Sequence, residues 1–178
     1  LAMRLCPSFS DLKSKGEATL TRQNEHITML HGAGGTVMHD LVRNHIVKRF
    51  GNTTGAEVPL EAMDDAAVVE NVALKSDSHV VKPIFFPGGD IGRLAVSGTV
   101  NDLSAVGAEP YALACGFVLE EDLAISDFDR ILSSMQKTCK EAGVNIVTGD
   151  TKVVVSNVND ASPAKFESIV YNVHIQTH

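Results

Sequence analysis

The chain has 178 residues, 44% of them apolar, and a formal net charge of −7. That length gives one ordinary domain with a core that needs no disulfides. No apolar run approaches the roughly 18 residues of a membrane helix. Acidic and basic residues are interspersed, and without a basic stripe nucleic acid is a poor partner.

Residues 1–25 are polar and mixed, with no apolar stretch long enough for a signal peptide. They read as a flexible leader, and residues 26–178 as the domain. His26 to Leu30 alternates and breaks into His31-Gly32-Ala33-Gly34-Gly35. A helix is expected from Thr36 to Phe50, where Val37, Met38, Leu41, Val42 and Ile46 fall at helical spacing. The run Ala66-Ala67-Val68-Val69 reads as a buried strand and Leu74 to Val81 as a second. Prolines and glycines make Pro83 to Gly89 a loop. Ile91 to Val106 reads as a small-residue helix stopped at Gly107. Tyr111 to Leu119 is a strand, Ser126 caps a helix over Asp127 to Glu141, and Asn145 to Val155 and Phe166 to Gln176 are the last strands. This order predicts a two-layer α+β domain.

Three cysteines, Cys6, Cys115 and Cys139, form no CxxC or finger pattern, and their odd number favours reduced cytoplasmic thiols. Cys115 and Cys139 fall in apolar segments, the setting of buried structural thiols. His31, His39, His45, His79, His174 and His178 repeat at no metal-binding spacing, which argues against zinc.

The residues that carry chemistry are carboxylates beside small residues. The phrases are Phe85-Phe86-Pro87-Gly88-Gly89-Asp90-Ile91-Gly92, Asn101-Asp102-Leu103-Ser104-Ala105-Val106-Gly107-Ala108 and Thr148-Gly149-Asp150-Thr151-Lys152-Val153-Val154. A carboxylate binds a divalent cation, and bare backbone approaches phosphate oxygens closely. Asp64 and Asp65 stand side by side at the mouth of an apolar run, where two anions repel unless a cation or backbone donors compensate, or else they form a solvated turn before a strand. Asn101 and Asp102 interrupt a small, apolar helix, where an unbonded buried polar group costs roughly 1–3 kcal/mol, so they belong to a site or else to a structural network. Asp102 reads there as an anion without compensation when no metal is bound. Asp150 and Lys152 share one face of an extended strand and suit a cation and a phosphoryl oxygen respectively, or else form a surface ion pair. Gly32, Gly34 and Gly35 precede a helix N-terminus, where anions are stabilised, or form a plain turn.

From about Ile27 to Val154 these phrases resemble the hydrogenase-maturation carbamoyl dehydratases, the HypE family. That family belongs to a superfamily with aminoimidazole ribonucleotide synthetase, selenophosphate synthetase and thiamine-phosphate kinase. The resemblance implies an N-terminal domain whose sheets pair into a barrel in a homodimer, with ATP at or near the interface. It implies magnesium ligands at Asp64, Asp65, Asp77, Asp102 and Asp150, and nucleotide contacts at Gly32, Gly34, Gly35, Asn101, Gly149 and Thr151. It also implies that Lys152 and Asp102 carry the phosphoryl chemistry. Lys75 and Ser76 depart from the two threonines usual before Asp77, and Lys75 has the charge to neutralise a local carboxylate.

Family members use ATP to turn the oxygen of a cysteine-bound thiocarboxamide into a leaving group. The resulting thiocyanate supplies the cyanide ligand of nickel–iron hydrogenases, through partner maturation proteins. They also continue into a second domain and end in a cysteine-bearing tail. Ser156 to His178 matches that pattern poorly, so the C-terminal domain is read as absent. The alternatives are an ATP-dependent small-molecule kinase or synthetase of the same superfamily, and a catalytically silent dimerisation module.

Overall fold

A computed structural model describes residues 26–51 and 55–155. The expected leader, Cys6, and the expected strand Phe166 to Gln176 lie outside the described residues. The chain divides into two compact units, residues 1–44 and 45–178.

In the first unit a 3₁₀ turn, Met29–Gly32, precedes α1, Gly35–Leu41. Thr28 Oγ1 lies 2.9 Å from His31 Nδ1, and the Thr28 N–H donates to the same nitrogen at 3.0 Å. Gly34 and Gly35 have φ of 80° and 72°, which favours glycine at both positions. The single helix expected over Thr36 to Phe50 is instead α1, a wider π-helical stretch Val42–Val47, and α2, Lys48–Phe50. The apolar spacing marks helix without distinguishing one hydrogen-bond register from the next.

Among the described residues the second unit holds three small sheets. In the first, β1 (Ala56–Val58), β2 (Ala67–Val69) and β3 (Val72–Leu74) are antiparallel neighbours in that order. Val69 faces Val72 across Glu70 and Asn71, both at positive φ as a tight hairpin turn requires. β4 (Phe85–Phe86) and β5 (Gly89–Asp90) flank Pro87-Gly88, a short hairpin within the expected loop. β6 (Ala112–Glu120) and β7 (Asn145–Val154) run parallel and are joined by a crossover helix, α4 (Ile125–Ala142).

Helix α3, Ile91–Ala105, starts on Asp90, whose Oδ1 accepts the Arg93 N–H at 2.9 Å. The carboxylate of the first glycine-rich phrase is therefore a helix cap. The cap of α4 is Ala124 rather than Ser126, which lies inside the first turn. Its end at Gly143 is as read, with φ of 72° and a backbone bond to Cys139 O.

The main core joins α3, α4 and β6 through Ile91, Ala95, Val96, Leu113, Ile131 and Met135. A second, smaller core joins Ala66 and Ala73 to Leu103. Phe117 and Phe128 meet edge to face at 5.2 Å. Phe85 packs against the main core beneath Arg130, whose guanidinium lies 3.9 Å from the ring centre.

Cys115 and Cys139 are buried free thiols of the main core, as their apolar setting implies. Burial, with a smaller contribution from Cys139, pushes the Cys115 thiol from 9.0 to about 11. Burial also pushes Cys139 up. The folded chain then binds more protons than the unfolded chain between pH 9 and about 11. The stabilisation is complete below pH 9 and is lost as the pH rises through about 11. Both thiols are expected to resist alkylation at about pH 8 in the folded chain and to react in guanidinium. Peptide mass mapping checks this, and rapid labelling of Cys115 in the native protein contradicts it.

Candidate functional site

The strand expected over Leu74 to Val81 ends at Leu74. Beyond it, two side chains lie against α3. Lys75 Nζ sits 2.6 Å from Asp102 Oδ2, and the His79 ring lies where a Cβ on Gly98 would stand, 2.6 Å from its Cε1. Gly98 and Asp102 are four residues apart, one turn on the same helix face, about 6 Å along the axis. The segment leaves the sheet because its side chains are engaged by this helix. Asp77 is thereby held between two anchors, with Oδ2 3.3 Å from His79 Nε2. Its Oδ1 accepts the Ser78 N–H at 2.8 Å.

Asp102 is half-buried with Lys75 as partner, which corrects the expectation of an uncompensated charge and bears out the neutralising role open to Lys75. Asn101 beside it is exposed rather than buried. Asp64 and Asp65 are exposed, and Asp64 Oδ1 accepts the Asp65 N–H at 2.8 Å. A backbone donor thus supplies part of the compensation that this pair requires.

On β7, Lys152 Nζ lies 2.8 and 2.6 Å from the two Asp150 oxygens, with both side chains largely exposed. The Lys152 hydrogen bond, then the Thr151 backbone, hold the Asp150 carboxyl below the usual carboxylate range. The ion pair itself is as spacing on a strand implies. Parallel pairing sets Gly116 beside Asp150 and Val118 beside Lys152. Gly149 and Thr151 pair with Cys115 and Phe117, on the opposite face. The pairing skips Val147, and a Cβ on Gly149 would run into the Cys115 carbonyl oxygen. Gly149 therefore has a structural requirement, the close approach of β6 and β7, besides any contact with phosphate.

Sequence reading missed two features of this unit. His79 is a wedge against α3, and nothing in its spacing marks it. Glu120, at the end of β6, is 8% exposed, and its Oε2 lacks a hydrogen-bond partner. A groove of about 940 Å³ runs between α4 and the start of β7, lined by residues such as Leu132, Gln136, Lys140 and Val144. None of the candidate carboxylates lines it.

Among the described residues no three His, Cys, Asp or Glu side chains converge as a metal cage. Magnesium at a nucleotide commonly takes only one or two carboxylates, with water and phosphate oxygens completing the shell. Asp77 and Asp102 each offer hard oxygen donors of the kind that requirement needs.

The comparisons with known proteins agree with this reading of the fold. Residues 63–166 match the family model for the AIR synthase related protein, N-terminal domain. The carbamoyl dehydratase HypE of Azotobacter vinelandii is 43% identical over 145 residues, covering 79% of this chain and 41% of the relative. A crystal structure of a HypE–HypF complex superposes with a TM-score of 0.65 at 40% identity, covering 78% of this chain and 43% of that one. A crystal structure of HypE in complex with ATP gives 0.51 at 42% identity, covering 85% and 44%. The chain thus spans under half the length of these relatives. Its mixed α+β architecture and the match over residues 63–166 place it in the AIR synthase related protein family, as an N-terminal domain of that kind.

Proposed function

We propose that this chain is the magnesium–ATP-binding N-terminal part of a carbamoyl dehydratase that acts in nickel–iron hydrogenase maturation. The observation that carries the reading is a half-buried carboxylate on α3, Asp102, held by Lys75 at the end of β3, in a chain 42% identical to an ATP-complexed HypE. Bound ATP would supply the phosphoryl group that turns an amide oxygen into a leaving group. Asp102 and Asp77 would hold the cation, with Asp64, Asp65 and Asp150 as further candidates. Lys152 would neutralise charge on phosphoryl oxygens once it exchanges Asp150 for phosphate. Asn101 and Thr151 have side chains that bond ribose or phosphate oxygens. Gly32, Gly34 and Gly35 leave backbone open to close approach, whereas the space at Gly149 is taken by the Cys115 carbonyl.

A homodimer through the strands belongs to the same proposal. All ten residues of β7 are exposed, including Ile146, Val147, Val153 and Val154, and β6 is its only partner among the described residues. The exposed apolar side chains at the two ends of this strand favour a covering surface. The HypE–HypF complex makes a maturation protein of the second kind a candidate partner. Cytoplasmic placement is consistent with the buried free thiols. Among the described residues no helix is long and apolar enough to cross a membrane.

Calorimetry tests the nucleotide claim. ATP with magnesium is expected to bind, and EDTA to weaken that binding by at least about tenfold, since removing the cation leaves triphosphate facing carboxylates. No heat at millimolar ATP with magnesium overturns the proposal for this chain.

A further inference from the structure

We propose that Lys75 is a resident counter-cation at Asp102, which a divalent ion must displace to reach that carboxylate. The inference rests on the reading of Asp102 as a cation ligand, and adds what controls its availability. Lys75 Nζ lies 2.6 Å from Asp102 Oδ2, with side-chain exposures of 18% and 31%. The pair is better sheltered than Arg93–Glu141, at 46% each, or Lys152–Asp150, at 66% and 68%.

Both partners are anchored close to the charge. Lys75 directly follows Leu74, the last residue of β3, and Asp102 directly precedes Leu103, which is fully buried against Ala73 of that strand and Ala66, just before β2. The pair is therefore built by the same packing that joins the sheet to α3, and is no chance meeting of two long surface side chains. Lys75 sits on Oδ2, and a divalent cation approaching either oxygen of the same carboxylate meets the repulsion of an ammonium a few ångströms away. While Lys75 is in place, Asp102 is neutralised and the metal-free fold carries no isolated half-buried anion. The same contact holds back the cation. Removing the lysine charge, and not merely its bulk, frees the carboxylate.

The test is a titration of the full chain with Mn²⁺ alone at about pH 7, following free ion by electron paramagnetic resonance. Lys75→Met keeps the apolar stem and removes the charge, and is expected to bind Mn²⁺ about five- to tenfold more tightly. Lys75→Arg keeps the charge and is expected to stay within about twofold of the parent. Lys75→Gln replaces the methionine variant if the latter does not melt cooperatively. Asp102→Asn is expected to weaken binding in either background. Lys75→Met binding no more tightly than the parent, while Asp102→Asn binds more weakly, overturns the counter-cation proposal and leaves Asp102 as a ligand. Asp102→Asn binding as well as the parent overturns the ligand reading and this proposal with it. No Mn²⁺ binding by the parent and Lys75→Met up to millimolar ion also overturns the proposal.

Discussion

Leu103→Ala is expected to lower the unfolding free energy by about 2–5 kcal/mol, measured by urea denaturation. Leu103 is fully buried and is the one large side chain of the smaller core, where its buried neighbours are Ala66 and Ala73. Alanines and the partly buried Val68, Val106 and Ala108 offer little that can swing into the space, so the cavity term stays large. The effect reaches the site. Leu103 holds β2 and β3 to α3, and that contact sets Lys75 against Asp102 and leads the chain on to Asp77. Magnesium–ATP binding is expected to weaken together with stability. A variant as stable as the parent contradicts the account of how the sheet is anchored.

Gly92→Val is expected to cost at least about 1–3 kcal/mol through overpacking. A Cβ on Gly92 would stand 2.6 Å from the Ile131 carbonyl oxygen and 2.8 Å from Met135 Cγ. Met135 can change rotamer, but the obstacle at Ile131 is backbone of α4, so relief requires the two helices to part. Gly92→Ala meets the same oxygen with less bulk, and is expected to fall at the low end of the range. Urea unfolding of both variants checks the order, and a valine variant indistinguishable from the parent contradicts the close α3–α4 contact. The carboxylates at Asp102 and Asp150 do not touch Gly92, so this variant probes the scaffold separately from the site.

The helices and long strands were legible because their signals are local. Gly107 and Gly143 mark the ends of α3 and α4 through positive φ, and the apolar run after Tyr111 gives β6. Ser126 misled because a hydroxyl near a helix start fits the capping preference, while the chain turns at Ala124. The segment after Leu74 misled for a different reason. Its alternation suits a strand, but Lys75 and His79 find partners on α3, a tertiary event that no local pattern encodes.

The same division runs through the candidate site. Asp150 and Lys152 were readable as a pair because spacing of two on a strand sets a shared face. Gly149 was readable as a glycine that something approaches closely, but not that the approaching group includes the Cys115 carbonyl. Lys75 stood out as a cation in a phrase that resembles one with threonines, and its partner became clear only once β3 was packed on α3. Asn101 looked buried because its neighbours are small and apolar, yet on α3 it lies on the exposed side, away from Leu103.

The measurement that tests the central claim most directly is the thermal melting of Asp102→Asn with and without magnesium–ATP. The parent is expected to melt higher with the ligand, by mass action on the folded state. Asp102→Asn loses the ion pair with Lys75, worth at most about 1 kcal/mol after solvent screening, and should still fold cooperatively. Its melting temperature is expected to move little when magnesium–ATP is added, because the carboxylate that would hold the cation is gone. An Asp102→Asn chain that gains as much from magnesium–ATP as the parent contradicts the assignment of this face of α3 as the nucleotide and metal site.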